Sequence, residues 1–208
     1  MLGVGIAWRL DAFPGAEFEN YGVRIGAHVP DARVYAEDGT SHALSDLWGK
    51  QPVLLVTASL TCPVSRGQVP KAERIAAEFG GHLTVVVLYT LEAHPEGDPS
   101  PYNHGEPWQL RENREEDILR AQTRTLEDRE HLATEFRKRL HLKLPILLDN
   151  MDNLAWKSLG GGPNMALLIR ENGVVEAKEG WFDDEKMSMS IRKFLNHAVV
   201  AHPAGVSG

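Results

Sequence analysis

Three short apolar runs and one long amphipathic segment dominate the pattern of hydrophobic and polar positions along the chain. Residues 53–59, 83–90 and 145–149 are rich in Val, Leu and Ile, which is typical of strands buried on both faces of a sheet. Between the first two runs, apolar residues recur every three or four positions from 63 to 79, which predicts a helix kinked at Pro70. This order predicts a β-α-β unit at the centre of the fold.

Shorter signals extend the prediction on both sides of this unit. An Asp-Gly turn at 37–40 and an Asn-Gly turn at 172–173 each predict a hairpin. The other predicted elements are a short helix at 41–47, a charged helix that begins at Thr125 with a capping box to Asp128, a short helix at 153–159 and a last helix that begins at Asp183 or Asp184. Together they predict an α/β fold in which helices flank a mixed central sheet.

Composition divides the chain into an arm, one domain and a tail. Residues 1–25 are irregular and predict an N-terminal arm, whereas 26–200 are of a size that suits one domain. An insertion at about 95–130 follows the second core strand, and its proline-rich part at 95–112 is typical of a lid or binding loop. Residues 201–208 predict a flexible tail.

Cys62 is the only cysteine among the 208 residues, and it lies between the first apolar run and Pro63. The N-terminus of a helix carries partial positive charge and free N–H groups, which favour a thiolate. Because the thiolate is the nucleophilic form, the sequence indicates a reactive cysteine, and the alternative is a buried structural one. Ser65 occupies the second position of a Cys-x-x-Cys pair, so oxidised Cys62 would need an external thiol for its reduction.

Polar residues follow both central strands and are candidates for the same site. Ser59 and Thr61 could hydrogen-bond the sulfur or a bound oxyanion, or only satisfy the backbone at the end of the strand. Glu92 and His94 come just after the second strand, and ligands of open α/β sheets gather at the carboxyl ends of strands. We expect His94 to donate a proton to a leaving group and Glu92 to orient it.

Composition argues against several other function classes. The net charge of −7 gives no reason to expect nucleic acid or an anionic membrane as a partner. The first residues lack the basic start of a secretory leader, and no run approaches ~20 apolar residues, so we expect a cytoplasmic protein. No histidine pair has metal-ligand spacing, and residues 160–162 lack the Lys-Ser/Thr of a phosphate loop, so no metal or bound cofactor is expected.

Several segments resemble the redoxin branch of the thioredoxin-like proteins, which includes the peroxiredoxins. The matching segments are Gly-Ala-His-Val-Pro-Asp at 26–31, Asp-Gly at 38–39 and Pro-Val-Leu-Leu at 52–55. The resemblance implies a thioredoxin-like fold with an N-terminal extension. Pro163 matches the cis-proline that faces the active cysteine in such proteins, so the resemblance also implies a cis bond before it.

Four segments in the same order are similar to the iodothyronine deiodinase family over about residues 26–196. Ser-Leu-Thr-Cys-Pro at 59–63 resembles the family's Ser-Cys-Thr-Sec-Pro, with Cys62 at the selenocysteine position. Tyr-Thr-Leu-Glu-Ala-His at 89–94 resembles its Tyr-Ile-Glu-Glu-Ala-His, and residues 124–129 and 145–153 resemble two further segments. The resemblance supports Cys62, Glu92 and His94 as site residues, whereas Tyr89 could face either the site or the core.

Two positions depart from the deiodinase pattern. Thr123 stands where the family has a His, and Met165 stands where it has an Arg. Both family residues are implicated in catalysis or iodothyronine binding, and the family's membrane-anchoring helix is also missing. The resemblance therefore supports the fold and the thiol site more than the iodothyronine substrate.

Three functions remain open from the sequence. The first is a one-cysteine thiol oxidoreductase that acts on a peroxide, a disulfide or a halogenated aromatic and is regenerated by an external thiol. The second is a one-cysteine peroxiredoxin-like peroxidase, for which Ser59 fits the Thr of Pro-x-x-x-Thr-x-x-Cys but Leu55 stands at the Pro. The third is a non-catalytic binding module. A small substrate and a thiol reductant are the expected partners, and the family likeness is compatible with a homodimer.

Overall fold

A seven-stranded mixed sheet organises the protein. The computed structural model describes residues 17–201, so the prediction for most of the arm, 1–16, and for the tail residues 202–208 lies outside the described residues. In chain order the strands are β1 (Arg33–Ala36), β2 (Ser41–Ala43), β3 (Val53–Ala58), β4 (Thr84–Tyr89), β5 (Ile146–Asp149), β6 (Ala166–Ile169) and β7 (Val175–Glu179). Their spatial order is β2-β1-β5-β4-β3-β6-β7, with β3, β4 and β5 parallel and the remaining pairs antiparallel.

Helices cover the sheet because its central strands are apolar on both faces. The helices are α1 (Pro63–Phe79), α2 (Arg111–Glu115), α3 (Leu126–Leu140), α4 (Leu154–Leu159) and α5 (Asp184–Ala201). Every residue of β3 is buried, and its alternate side chains enter two separate cores. One core packs against α1, α3 and α5, and the other packs against α4 and the chain before β1. Because β3 is buried by a separate core on each face, its sequence is a continuous apolar run.

Most predicted elements are confirmed. The helix from 63 to 79 has the predicted bounds, and Pro63 begins it where a missing N–H leaves no bond unmade. The capping box of α3 is present, with Thr125 Oγ1 accepting from the Asp128 N–H at 3.1 Å and Asp128 returning the bond to Thr125. Both predicted hairpins form, and Gly173 takes the positive φ of 81° that the second turn requires.

Two predictions were wrong in detail. The short helix expected at 41–47 is instead strand β2 followed by one 3-10 turn, Leu44–Leu47, because Ser41–Ala43 pair with β1. The irregular loop expected at 95–112 ends two residues early, since Arg111 already begins α2. The first difference arises within the β1–β2 hairpin, whereas α2 is held by the distant contact between Asn113 and Thr61.

The described part of the N-terminal arm packs against the domain. Phe18 is fully buried, and its ring meets those of Tyr102 and Trp181 edge to face, with centroids 5.9 and 5.4 Å apart. The buried Lys178 ammonium donates to the carbonyls of Tyr21 and Val23. Burial lowers the pKa of Lys178 to about 8. The arm therefore belongs to the second core from residue 18 onward.

Candidate active site

Cys62 lies where β3 turns into α1, at the edge of the sheet that the parallel strands β3 and β4 share. It is the N-cap residue of α1, and its Sγ accepts a hydrogen bond from the Ser65 N–H at 3.4 Å. Ala58 and Tyr89 are paired in register, so both strands end at the same level. The segments that follow them, which carry Cys62 and His94, are therefore neighbours, as the sequence predicts.

The thiol is buried, which changes its expected ionisation. Only 2% of Cys62 is exposed, and it belongs to the second core together with Tyr102. Burial raises the pKa of the Cys62 thiol, while the Ser65 and Val64 hydrogen bonds and the Arg66 charge act to lower it. The lowered pKa expected from the helix N-terminus is therefore wrong for this resting structure, because the loss of hydration outweighs the local dipole.

Two buried side chains, Tyr89 and Glu92, accept hydrogen bonds from the backbone N–H groups just before Cys62. The Tyr89 hydroxyl accepts from the Leu60 N–H at 3.0 Å, and Glu92 Oε2 accepts from the Thr61 N–H at 2.8 Å. The Tyr89 hydroxyl also donates to Glu92 Oε1. Burial raises the pKa of Glu92, and burial together with the Glu92 charge raises that of Tyr89 well above 10. Tyr89 thus packs in the core and supports the cysteine loop through its hydroxyl.

The carbonyls of Leu60 and Thr61 accept hydrogen bonds from two further buried side chains. Arg66 Nη1 donates to the Leu60 carbonyl at 2.7 Å, and Asn113 Nδ2 of helix α2 donates to the Thr61 carbonyl at 2.8 Å. Arg66 and Asn113 also bond to each other at 2.9 Å. All four backbone polar groups of residues 60 and 61 are therefore bonded to buried side chains, which fixes the approach to Cys62. Sequence reasoning missed both Arg66 and Asn113.

His94 is placed beside the cysteine loop by its backbone and oriented through its ring. Its N–H donates to Thr61 Oγ1 at 3.0 Å, and its Nδ1 lies 3.2 Å from the Trp108 carbonyl. A carbonyl can only accept, so Nδ1 carries the proton and Nε2 keeps a lone pair. Burial lowers the pKa of His94 from its usual 6.5 to about 4. At neutral pH the ring is therefore uncharged, and Nε2 can accept a hydrogen bond.

The roles expected for Glu92 and His94 change accordingly. Glu92 was expected to orient His94, but its carboxylate is engaged by Tyr89 and Thr61, and the Trp108 carbonyl takes the orienting place. The Trp108 ring also meets the His94 ring edge to face, with centroids 4.5 Å apart. His94 was expected to act as a proton donor, whereas the neutral ring at pH 7 presents an acceptor. Trp108, which lies in the proline-rich loop, was not predicted to contact His94.

The lowered pKa of His94 predicts a specific pH dependence of stability. Between about pH 6.5 and 4 the unfolded chain binds a proton at this site and the folded chain does not, so acidification lowers the free energy of unfolding. Removing the group by His94→Gln is expected to reduce the loss of stability between pH 7 and pH 5. Urea denaturation at both pH values measures it, with the exposed His82→Gln as control; equal losses in the two variants would contradict the prediction.

The remaining predicted residues line the same edge, mainly through backbone contacts. Ser59 Oγ accepts from the Ala93 N–H at 3.3 Å, as Thr61 Oγ1 does from His94, so both hydroxyls join the two strand ends. Ser65 Oγ donates to the Pro163 carbonyl at 3.0 Å, which ties α1 to the loop before β6. The cis geometry of the bond before Pro163 stays a prediction.

The long loop contributes an aromatic residue close to the thiol. The Tyr102 hydroxyl donates to the Gly161 carbonyl at 2.9 Å and accepts from Trp156 Nε1 at 3.2 Å. Burial raises the pKa of Tyr102 well above 10, and the neighbouring Cys62 adds to this rise. These bonds attach the loop to α4 and the glycines after it, and they place Tyr102 in the same core as Cys62.

The two positions that depart from the deiodinase pattern have structural roles here. Thr123 is buried, and its hydroxyl accepts from the Arg129 guanidinium. Met165 is fully buried, and its sulfur lies 3.1 Å from the Gly162 N–H. A Cβ on Gly162 would come within 2.4 Å of Met165, so the close approach of this loop requires glycine. Neither side chain is placed to supply the missing His or Arg chemistry.

Over residues 17–201, no group of three or more His, Cys, Asp or Glu side chains could hold a metal ion. Within the same range, no helix is long and apolar enough to cross a bilayer.

Comparison with solved structures supports the fold. A thiol:disulfide interchange protein from Bacteroides sp. is 17% identical with a TM-score of 0.59, covering 87% of this chain and 96% of its own. The thioredoxin domain of a thiol-disulfide oxidoreductase from Bacteroides vulgatus is 17% identical with a TM-score of 0.57, covering 84% and 100%. A peroxiredoxin-like protein from Aquifex aeolicus is 12% identical with a TM-score of 0.52, covering 83% and 88%. The fold is thioredoxin-like.

Comparison with family models covers nearly the whole described chain. The model for iodothyronine deiodinase matches residues 16–197, a range that includes the cysteine loop, the long insertion and most of α5. This match supports a thiol-related redox function. The resemblance seen in the segments at 59–63 and 89–94 therefore extends over the domain, and the chain belongs to the iodothyronine deiodinase family.

Proposed function

We propose that the protein is a one-cysteine, thiol-dependent oxidoreductase in which Cys62 is the nucleophile. The observation that carries this proposal is the support of the cysteine loop: four buried side chains bond all four backbone polar groups of residues 60 and 61. Buried polar networks are costly unless fully satisfied, and they are typical of sites where one geometry must be held. A cysteine with only a packing role would not need this support.

The chemistry balances with an external thiol as the sole reductant. With a peroxide, Cys62 is oxidised to a sulfenic acid while the peroxide is reduced to an alcohol or water. With a disulfide, attack by Cys62 yields a mixed disulfide and releases one thiol. With an aryl iodide, sulfur takes iodine, and the ring carbon takes a proton. The first external thiol then forms a mixed disulfide with Cys62 and displaces water, the second substrate thiol or iodide, respectively. A second external thiol frees Cys62 and leaves with the first as one disulfide.

Two neighbouring residues suit this cycle. His94 is uncharged at neutral pH, and its Nε2 lone pair suits it to accept a hydrogen bond from a bound substrate or an incoming thiol. The Arg66 charge favours the thiolate once it forms. Because the thiol is buried in the resting structure, we infer that substrate enters when the loop held by Tyr102 moves aside.

The proposal is tested by trapping the intermediate on the full chain. The reduced protein is incubated separately with hydrogen peroxide, a small disulfide and an iodinated phenol, quenched with glutathione and analysed by intact-mass spectrometry. We expect a glutathione adduct on Cys62 with at least one substrate, and continuous product release when thiol is in excess. Protein alkylated at Cys62 beforehand is the control. If substrate consumption is the same with and without the free thiol, the proposal fails.

The raised pKa of Cys62 favours a second candidate, a non-catalytic binding module on the same scaffold. Slow alkylation of Cys62 together with no consumption of any of the three substrates would support it. The peroxiredoxin-like alternative is less well supported, since Leu55 lies inside β3, paired with Val86 and Leu167. A proline there would remove a bond from a central strand.

A further inference from the structure

Arg66 reaches back from the first turn of α1 to the loop that precedes Cys62. Its backbone N–H bonds to the Cys62 carbonyl at 3.1 Å, and its Nη1 bonds to the Leu60 carbonyl at 2.7 Å. The side chain is almost completely buried. A guanidinium stays charged in proteins, so a permanent positive charge lies within the structure that holds the thiol.

The counter-charge of Arg66 lies at the surface. Glu116, at the end of α2, accepts from Arg66 Nε at 3.1 Å and from Nη2 at 3.0 Å, and its side chain is 52% exposed. The buried cation thus has one face toward the cysteine loop and the other toward a partly hydrated carboxylate. The Arg66 charge lowers the pKa of both Cys62 and His94, although burial has the larger effect on each.

We propose that Arg66 is a positioning residue of the Cys62 site, and that the surface carboxylate of Glu116, which pairs with Arg66, weakens the electrostatic effect of the Arg66 cation on the Cys62 sulfur. Arg66 fixes the loop before the thiol and offsets the negative charge that sulfur acquires when its proton leaves. Neutralising Glu116 leaves that cation less compensated, so the thiolate becomes easier to form. The inference deepens the proposed function and rests on it only in assuming that Cys62 reacts as a thiolate.

Other titratable groups around the loop set the background for this effect. The charged or titratable side chains that surround Cys62 and its loop are Arg66, Tyr89, Glu92, His94, Tyr102, Glu112 and Glu116. Among these, Glu116 is the one whose charge is compensated directly by Arg66. A change at Glu116 therefore acts on the sulfur mainly through that guanidinium.

The test is the pH profile of Cys62 alkylation by iodoacetamide in the full chain, where a single cysteine makes the signal unambiguous. Arg66→Met is expected to slow alkylation at pH 7 about tenfold, since one pKa unit is a factor of ten. Arg66→Lys, which keeps the charge, should retain most of the rate. Glu116→Gln should accelerate alkylation only about threefold, because the Glu116 carboxylate is itself half exposed and partly screened.

Glu115→Gln is the matched control. It removes the same charge one residue away on α2, where Glu115 pairs with the exposed Arg111 at 2.6 Å instead of Arg66. We expect its alkylation profile to equal that of the unchanged protein. The inference is overturned if Glu116→Gln behaves like Glu115→Gln or slows alkylation. Because Glu116 lies at the surface, this arm stays informative even if Arg66→Met unfolds.

The same variants separate this inference from the proposed function. Opposite shifts in Arg66→Met and Glu116→Gln support the role of Arg66 even if none of the substrates is consumed, in which case only the proposed function fails. Substrate turnover without the two opposite shifts overturns the role of Arg66 and leaves the oxidoreductase proposal standing.

Discussion

Replacing Cys62 with serine is expected to reduce thiol-dependent turnover by more than about 10³-fold, because a neutral hydroxyl cannot replace sulfur as the attacking atom. The variant should fold normally. Cys62 is the N-cap of α1 and accepts from the Ser65 N–H, and serine is among the preferred residues for that role. Steady-state turnover with excess external thiol measures the loss.

The thermal midpoint of Cys62→Ser shows whether the loss is chemical. A midpoint within a few degrees of the unchanged protein, combined with lost turnover, assigns the effect to the sulfur. A control variant at Ser65, Ser65→Ala, loses the bond to the Pro163 carbonyl but keeps the thiol, and it should keep most of the turnover. Turnover that survives in Cys62→Ser would remove Cys62 from the mechanism.

Replacing Arg129 with methionine is expected to cause the largest loss of stability, about 3–5 kcal/mol. The Arg129 guanidinium is 1% exposed and donates to the carbonyls of Asp149 and Asn150 at 2.9 and 2.7 Å. It also bonds to Asn153 Oδ1 at 2.9 Å and to the Thr123 hydroxyl. Methionine fills a similar volume but leaves these buried oxygens without a donor, which is the costly outcome for polar groups.

Urea denaturation followed by tryptophan fluorescence measures this loss. The matched control is Arg139→Met on the same helix, where the guanidinium is 35% exposed and pairs with Glu135 at 2.7 Å. A partly exposed ion pair contributes at most about 1 kcal/mol, so this variant should stay close to the unchanged protein. Comparable losses in both variants would show that the buried bonds of Arg129 add little.

The sequence was sufficient for elements whose signals are local. The bounds of α1, the capping box of α3 and the Asn-Gly hairpin depend on residues within one or two turns of each other. Strand β2 was missed because residues 41–43 pair with β1, and helix α2 was missed because its five residues show no apolar period. The docking of α2 depends on Asn113, whose partner Thr61 lies 52 residues away.

That the candidate residues lie close together was predictable, but their bonds were not. The segments that carry Cys62, Glu92 and His94 are adjacent because β3 and β4 are parallel and end in register, which the strand pattern implies. Their partners are Arg66, Asn113 and the Trp108 carbonyl, and no local pattern identifies these residues. The direction of the Cys62 pKa shift could not be predicted from the sequence either, since it depends on burial by residues far along the chain.

The serine at the second position of the Cys-x-x-Cys spacing affects how long Cys62 stays oxidised. Ser65 holds the Pro163 carbonyl where a resolving thiol would otherwise lie, and the chain contains no other sulfur nucleophile. Under the proposed chemistry, an oxidised Cys62 returns only through a bimolecular encounter, so its lifetime scales inversely with the concentration of thiol outside. The oxidised fraction at steady state then depends on the ratio of substrate to thiol concentration in the surroundings. Between encounters with a thiol, the protein stays oxidised.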